Sequence, residues 1–239
     1  MFDLATSSSE VLRERAQALD AALEGAPPQR ILERILGERF DGGIAAVSSF
    51  GTESAVLLHM IAAIDPKTPV LFLDTGMLFP ETLAYRDELR QRLGLSDLRV
   101  FTPDAGDTAR LDPEGMLWSE DPDACCGFRK VKPLGRALEG FGAWINGRKR
   151  YHGESRSQLP IVEADGTRIK VNPLANFDAQ DIQSYFARYH LPLHPLQKFG
   201  FASIGCMPCT SRTLPGENVR AGRWRGTGKT ECGIHISGS

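Results

Sequence analysis

Apolar and polar positions alternate with two different periods through the first half of the chain. Short apolar runs at 43–47, 70–73 and 98–101 have the length of strands. Amphipathic or apolar segments of helical length follow the first two runs, beginning near residues 54 and 80. Strands that alternate with helices favour a doubly wound, mostly parallel sheet, so the sequence predicts an α/β fold.

Further elements are predicted on both sides of this alternating region. They are indicated by a set of leucine and alanine residues at helical spacing, by short runs of residues that favour strands, and by an aspartate at the position of a helix N-cap. The predictions are helices over 7–25 and 31–36, strands over 143–147 and 168–174, and a helix over 178–190 capped by Asp178.

The chain divides by composition into three predicted segments. Beyond residue 191 it is rich in Gly, Pro, Cys and Arg and shows little periodicity, which indicates an ordered functional segment followed by a mobile tail. The sequence contains no internal repeat or low-complexity linker, so one domain with an extension is the simplest division. The segments are N-terminal helices over 1–40, an α/β domain over 41–215 and a C-terminal tail over 216–239.

Small and hydroxyl residues follow the first two predicted strands. The first loop could turn its backbone N–H groups toward an anion at a helix N-terminus, although it lacks the Gly-Lys-Ser/Thr ending of a Walker A loop. An ordinary strand-to-helix turn is the alternative. The second turn lies at the next strand end, where open α/β sheets bind ligands, so together the loops predict a nucleotide pocket. The loops contain Ser48, Ser49, Gly51, Thr52 and Ser54, and then Asp74, Thr75 and Gly76.

Charge is balanced overall but locally uneven. A formal net charge of −2 over 239 residues argues against a general attraction to nucleic acid. Three basic clusters nevertheless suggest a local anionic ligand, with solvated surface as the alternative for any one of them. The clusters are Arg129, Lys130, Lys132 and Arg136; Arg148, Lys149, Arg150 and Arg156; and Arg220, Arg223, Arg225 and Lys229.

The N-terminus MFDLATSSSE lacks the basic start and apolar run of a signal peptide, and no aliphatic stretch approaches membrane-spanning length. We therefore expect a cytoplasmic protein without a membrane partner. In that reducing compartment, clustered cysteines indicate metal or redox chemistry more often than structural disulfides.

Four of the five cysteines form two pairs, Cys125-Cys126 and Cys206-Met-Pro-Cys209. Adjacent cysteines fit zinc poorly, because zinc ligands are usually two to four residues apart. Four thiolates suit a [4Fe–4S] cluster, which we favour over zinc, a thioredoxin-like CxxC or buried free thiols. The remaining Cys232 follows a basic run in a glycine-rich tail, so it is interpreted as a nucleophile on a flexible arm, with an incidental free thiol as the alternative.

Taken together, the motifs SSFGTES, LDTGMLFPETL, CCGFRKVKPL, GCMPCTSR and KTECGIH resemble the assimilatory adenylyl-sulfate (APS) and phosphoadenylyl-sulfate (PAPS) reductases. The resemblance runs from about residue 44 to His235. Both cysteine pairs are present, as in the cluster-bearing bacterial branch that mostly uses APS; a PAPS reductase is the alternative. The resemblance implies a PP-loop ATP-pyrophosphatase-like fold, APS as substrate and reduced thioredoxin or glutaredoxin as electron donor. Nucleic acid is not an expected partner, and a homo-oligomer stays open.

The resemblance also implies roles for individual residues. Cys232 would attack the sulfate sulfur of APS, and the other four cysteines would hold the cluster. Arg220 and Arg223 match arginines that precede the tail in the family. Lys130 matches a lysine that lies between the cluster and the substrate. Lys149 and Arg150 match a basic pair that clamps the substrate. The first loop would lie along the phosphate and sulfate end of the substrate, and residues at the end of the second strand would flank its adenosine. These substrate-binding residues are Ser48, Gly51 and Thr52, and then Leu73 and Thr75.

Three further side chains are weighed and given smaller roles. Arg156 is a weaker candidate for the substrate clamp. His152 is interpreted as a surface or pocket histidine. His235 belongs to the tail motif, and neither histidine is given a catalytic role, because an ionised thiol needs no base to remove its proton.

Overall fold

A computed structural model describes residues 4–153 and 156–235 of the chain. Six strands form one sheet in the order β3-β2-β1-β4-β6-β5, and every neighbouring pair is parallel except β5 with β6. The strands are β1 Ile44–Ser48, β2 Val70–Leu73, β3 Leu98–Phe101, β4 Ala143–Ile145, β5 Val162–Asp165 and β6 Arg168–Val171. The predicted α/β fold with a mostly parallel sheet is confirmed.

Helices connect and cover the strands. They are α1 Leu4–Leu23, α2 Pro28–Leu36, α3 Ser54–Ile64, α4 Pro80–Leu93, α5 Ala105–Leu111, α6 Leu117–Glu120, α7 Pro122–Cys126, α8 Lys132–Ala137 and α9 Ala179–Arg188. None of the helices in the described part of the chain is long and apolar enough to cross a bilayer.

The two faces of the sheet bury different helices, as a doubly wound fold requires. Side chains of β1 alternate between the faces, so Ala46 joins the larger core cluster while Ala45 and Val47 join the smaller one. The larger cluster includes buried residues of α1 to α4 and α9, and the smaller packs Leu134 and Ala137 of α8 against the opposite face. This layering leaves the carboxyl ends of the strands free to form a site.

Helix α9 begins as predicted. The Asp178 side chain accepts a hydrogen bond from the Asp181 N–H, and the Asp181 side chain accepts one from the Asp178 N–H, which completes a capping box. The neighbouring region was not predicted: α7 and α8 are joined through a single π-helical turn, Gly127–Val131, directly after the paired cysteines. Such turns are rare and often lie at functional sites.

The C-terminal segment has short helical turns and loops, in agreement with its lack of periodicity. Its residues 233–235 form one 3₁₀ turn. The predicted segment bounds at 40 and 215 stay predictions, and residues 1–3 and 236–239 of the outer segments lie outside the described residues.

Candidate active site

A cavity of about 220 Å³ opens at the carboxyl ends of β1 and β2. This is the edge at which parallel α/β sheets bind ligands. Five regions contribute to its wall: the loop after β1, the end of β2, the π-helical turn at 127–131, the basic segment after β4, and the C-terminal segment. Of the residues predicted from sequence, the lining includes Ser48, Gly51, Thr52, Leu73, Thr75, Lys130, Lys149, Cys206, Arg220, Arg223 and Cys232.

The loop after β1 is held by an inward-turned aromatic residue. Phe50 has φ +48° and is fully buried, with its ring 5.3 Å from that of Phe72 on β2. Its N–H donates to the Ser48 hydroxyl oxygen at 3.2 Å, and the Thr52 hydroxyl donates to the Ala202 carbonyl at 3.0 Å. A bulky residue at positive φ is strained, and that strain is typical of loops that position backbone groups for a ligand.

The second predicted loop brings the CxxC segment to the end of β2. The Thr75 hydroxyl shares a 3.3 Å hydrogen bond with the Cys206 sulfur, and the Met207 N–H donates to the Met77 carbonyl at 2.7 Å. A β-bridge joins Leu78 to Cys206 as well. Two segments about 130 residues apart in sequence therefore meet beside the cavity.

All five cysteines are free thiols, and four of them are buried. Cys125 and Cys126 end α7, while Cys206 precedes a 3₁₀ turn, Met207–Cys209, that ends at Cys209. Burial raises the pKa of Cys125 to about 11 and also raises that of Cys209. Within residues 4–153 and 156–235, no three His, Cys, Asp or Glu side chains are grouped closely enough to hold a single metal ion.

The C-terminal segment places Cys232 in the cavity wall. Its side chain is 8% exposed and packs with Cys126 and Trp224. A hydrogen bond from the Cys126 thiol, helped by the charges of Lys130 and Arg223, lowers the pKa of Cys232 against the opposing effect of burial, and the two cations favour the thiolate even when Cys126 has no proton to donate. The sulfur is therefore held in a setting that favours its thiolate form.

Cations surround this sulfur. Burial disfavours a charged Lys130, but the nearby sulfurs of Cys206 and Cys232 outweigh it and raise the pKa of Lys130. The Arg223 guanidinium lies 4.5 Å from the Trp224 ring centroid and donates to the Ile204 carbonyl at 3.1 Å. Such fixed positive charge suits an anion that reacts at Cys232.

Lys149 lies at the cavity in a buried network instead of presenting a free charge. Its Nζ is 2.7 Å from a carboxylate oxygen of Glu53, and His152 Nε2 is 3.0 Å from the same oxygen. Tyr151 also donates to this carboxylate. Burial would raise the pKa of Glu53, but Lys149 and His152 outweigh it and hold that pKa well below its usual range. Lys149 therefore fixes the loop after β1.

Of the predicted substrate-binding residues, Arg150 is the one that does not line the cavity. Its guanidinium donates to the Leu159 carbonyl at 2.8 Å and to the Asn176 side chain. Its neighbour Arg148 and the more distant Arg156 line the cavity in its place. Lys149 and Arg150 are adjacent at the start of the turn at 150–152, yet only Lys149 lines the cavity, which the basic cluster alone did not reveal.

Two acidic residues, Glu53 and Glu231, and the histidine of the tail were not predicted as site residues, yet all three line the cavity. The His235 ring stacks parallel to that of Trp144 with centroids 6.4 Å apart. Burial, followed by the charges of Arg148 and Lys170, lowers the pKa of His235 well below its usual value. His235 is therefore a neutral ring stacked on Trp144 in the cavity wall.

The family follows from comparison with known proteins. A family model for the phosphoadenosine phosphosulfate reductase domain matches residues 43–212, which include both cysteine pairs and both loops. The chain belongs to this family. An adenosine 5'-phosphosulfate reductase from Mesorhizobium japonicum is 50% identical over 94% of this chain and 88% of its own length. The resemblance found in the sequence is thereby confirmed.

Other members of the family carry the PAPS name. A phosphoadenosine 5'-phosphosulfate reductase from Gloeobacter violaceus is 40% identical over 85% of this chain and 88% of its own length. The crystal structure of a phosphoadenylyl-sulfate reductase from Candida auris, a phosphate complex, is similar with a TM-score of 0.72 and 25% identity. It covers 83% of this chain and 97% of its own.

Proposed function

We propose that this chain reduces adenylyl sulfate to sulfite and AMP in assimilatory sulfate reduction, with electrons from reduced thioredoxin or glutaredoxin. The observation that carries the proposal is the position of Cys232, whose thiol lies in the wall of a cation-lined cavity at the carboxyl ends of β1 and β2. The names of close relatives support the substrate.

The first step is attack of the Cys232 thiolate on the sulfate sulfur of APS. A sulfur–sulfur bond forms, the bond between that sulfur and the bridging phosphate oxygen breaks, and AMP leaves with the electron pair. An S-sulfocysteine remains on the enzyme. Two anions meet in this step, so the positive charges of Lys130, Arg220 and Arg223 reduce their repulsion and stabilise the leaving phosphate.

The second step releases sulfite. One thiolate of the donor dithiol attacks the Cys232 sulfur, and sulfite leaves with the bonding electron pair. The second donor thiol then resolves the mixed disulfide, which regenerates Cys232 and leaves the donor oxidised. The two electrons that reduce sulfate to sulfite both come from the dithiol, so no further redox centre is required for balance.

We further propose that the other four cysteines hold a [4Fe–4S] cluster, which supplies local electrostatic and structural support when bound. The donor set fits: each iron takes its own thiolate, so the ligands can be spaced more widely than around a single ion. Cys125 lies close enough to Cys206 and Cys209 for their charges to interact. Arg129, Lys130 and Arg223 are near these sulfurs and would offset the charge of the thiolates.

PAPS is the second candidate substrate, favoured by the PAPS name of the Gloeobacter violaceus relative. The two substrates differ only by a phosphate on the ribose 3′ oxygen. Competition between equimolar APS and PAPS, followed by measurement of AMP and adenosine 3′,5′-bisphosphate, decides between them. AMP in excess supports APS, whereas equal or greater yield of the bisphosphate identifies the chain as a PAPS reductase.

Intact mass spectrometry of the anaerobic protein after mixing with APS without reductant tests the mechanism. We expect one added sulfo group per chain, found on the tail peptide after digestion and lost when reduced thioredoxin is added. The Cys232→Ser variant should show no adduct and form no sulfite. Sulfite formation without an adduct, or unaltered sulfite yield from the variant, would contradict the proposed order of steps.

A further inference from the structure

We infer that the cavity contains an oxyanion subsite which the Glu231 carboxylate occupies in the ligand-free protein, and that an entering sulfate or phosphate group displaces it. The inference rests on the proposed function only for the identity of the natural anion. It assigns to Glu231, the residue before the nucleophile, a part in substrate entry.

The contact has the geometry of anion recognition. Arg156 Nε is 2.6 Å from one carboxylate oxygen of Glu231, and Arg156 Nη2 is 2.7 Å from the other. Arg220 Nη2 is 3.3 Å from the second of these oxygens. Two parallel bonds from one guanidinium are the arrangement by which arginine binds carboxylate, sulfate and phosphate alike.

The subsite requires a negative charge whether or not a ligand is bound. The Arg156 side chain is 7% exposed and that of Arg220 is 16% exposed, and both line the cavity. Burial, with the neighbouring charges of Arg156 and Arg223, lowers the pKa of Arg220 to about 10. Buried cations without a counterion are unfavourable, so Glu231 neutralises a site that would otherwise attract any available anion.

The same contact joins the subsite to the nucleophile. The Cys232 N–H donates to a carboxylate oxygen of Glu231 at 3.2 Å. A ligand oxyanion that takes both bonding atoms of Arg156 must move the carboxylate, and this breaks the bond that the carboxylate accepts from the Cys232 N–H. Ligand binding and the closed position of the tail are therefore coupled, and the coupling acts equally in both directions.

Anion binding to the Glu231→Gln variant tests the inference. Glutamine keeps the size of the side chain but removes the charge that competes with the ligand. If the carboxylate fills the subsite nine-tenths of the time, its loss tightens the apparent dissociation constant by roughly tenfold. Calorimetric titration of the anaerobic full chain with AMP, and separately with inorganic sulfate, measures this. Tightening for sulfate assigns the subsite to the sulfo group, and tightening for AMP assigns it to the nucleotide phosphate.

Glu217→Gln is the matched control, because Glu217 pairs with Arg225 at 2.7 Å in the same segment, with the Arg225 side chain 43% exposed, and neither residue lines the cavity. It should bind both anions as the wild type does. Equal or weaker binding of both anions by Glu231→Gln would overturn the inference. These titrations involve no turnover, so they stand apart from the failure of APS to yield sulfite.

Alkylation of Cys232 supplies a second, independent measurement. Trypsin cleavage after Lys229 yields residues 230–239, whose one cysteine is Cys232, so iodoacetamide labelling can be followed on this peptide alone. Sulfate should raise the labelling rate of the wild type toward that of ligand-free Glu231→Gln, because both changes release the tail. A wild-type rate that sulfate leaves unchanged or lowers would contradict displacement of the carboxylate.

Discussion

The Arg129 guanidinium lies 2.7 Å from the carboxylate of Asp112, and the two side chains are only 7% and 2% exposed. A second nitrogen of Arg129 donates to the Thr75 carbonyl at 2.8 Å. Arg129 belongs to the π-helical turn after the paired cysteines, and Thr75 lies in the cavity wall. The ion pair with Asp112 therefore fixes Arg129, whose hydrogen bond to Thr75 holds the turn after the paired cysteines against the end of β2.

Loss of the Asp112 charge should destabilise the protein markedly. Asp112→Asn keeps the shape of the side chain but leaves the buried Arg129 without its counterion. Breaking a buried pair from one side typically lowers the free energy of unfolding by about 3 kcal/mol or more. Urea unfolding followed by fluorescence, on anaerobic protein at pH 7, measures the change.

Asp107→Asn is the control for this charge deletion. Asp107 pairs with Arg110 and Lys132 on the surface, where solvent screens ion pairs, so its replacement should leave the unfolding midpoint nearly unchanged. If Asp112→Asn is as stable as Asp107→Asn, the buried pair does not anchor the turn.

The fold was predictable wherever packing imposes a regular pattern. Strands at 70–73 and 98–101 were predicted with the bounds that the structure gives, because short apolar runs bounded by turn residues have few alternatives. Strand β5 was missed because only Val162 among its four residues is buried and its pairing with β6 is antiparallel at the sheet edge. Helix α5 was missed because it buries none of its residues.

The site was predictable in chemistry but only partly in position. Cys232, Lys130 and Arg223 were each predicted as site residues from a specific motif. The structure places all three in the cavity wall. The basic run at 148–150 was ambiguous, because neighbouring residues in a turn point in different directions and sequence does not say which faces inward. Glu231 could have been noticed as the carboxylate beside Cys232, but only the fold shows that it meets Arg156.

Gly205→Ala should weaken substrate binding through Arg223. A methyl group at residue 205 would overlap the Arg223 guanidinium and force it out of its place over Trp224. A hydrogen bond to a charged group contributes about 1.5–3 kcal/mol, so the KM for APS should rise by about tenfold or more. Steady-state sulfite production measures KM and kcat.

Gly228→Ala is the control, because no atom lies within 4 Å of its added methyl group. Equal KM values for both variants would exclude a binding role for Arg223.

Iron content should separate the cysteines by role. Cys209→Ser removes a proposed cluster ligand and should lower iron and acid-labile sulfide sharply, together with the visible absorption. Cys232→Ser should retain both, because Cys232 is not among the proposed ligands. Iron and sulfide per chain, measured after anaerobic purification, check this. Full iron in Cys209→Ser, or its loss in Cys232→Ser, would mean that the ligand set has been misassigned.

His194 is a buried imidazole whose hydrogen bonds fix it in the neutral form. The Leu196 N–H donates to Nδ1 at 3.2 Å, so that nitrogen is an acceptor, and Nε2 lies 3.1 Å from the Thr82 hydroxyl. Burial lowers the pKa of His194 from 6.5 to about 4, against a small opposing effect of Glu81. A proton on Nδ1 would face the Leu196 N–H and break this arrangement.

Stability should therefore fall as the pH falls from about 6.5 to about 4. In that window the unfolded chain binds a proton at His194 and the folded chain does not, so the free energy of unfolding decreases by roughly 2 kcal/mol from this residue. The His194→Gln side chain keeps a donor and an acceptor but does not titrate. Over the same pH range, the free energy of unfolding of this variant should therefore fall by that amount less than that of the wild type. Urea titrations at successive pH values measure the difference. His190→Asn, at an exposed position with φ +50° that asparagine accepts, should keep the wild-type profile. If His194→Gln and the wild type lose the same stability between pH 7 and pH 4, then the acid sensitivity of the fold lies in other groups.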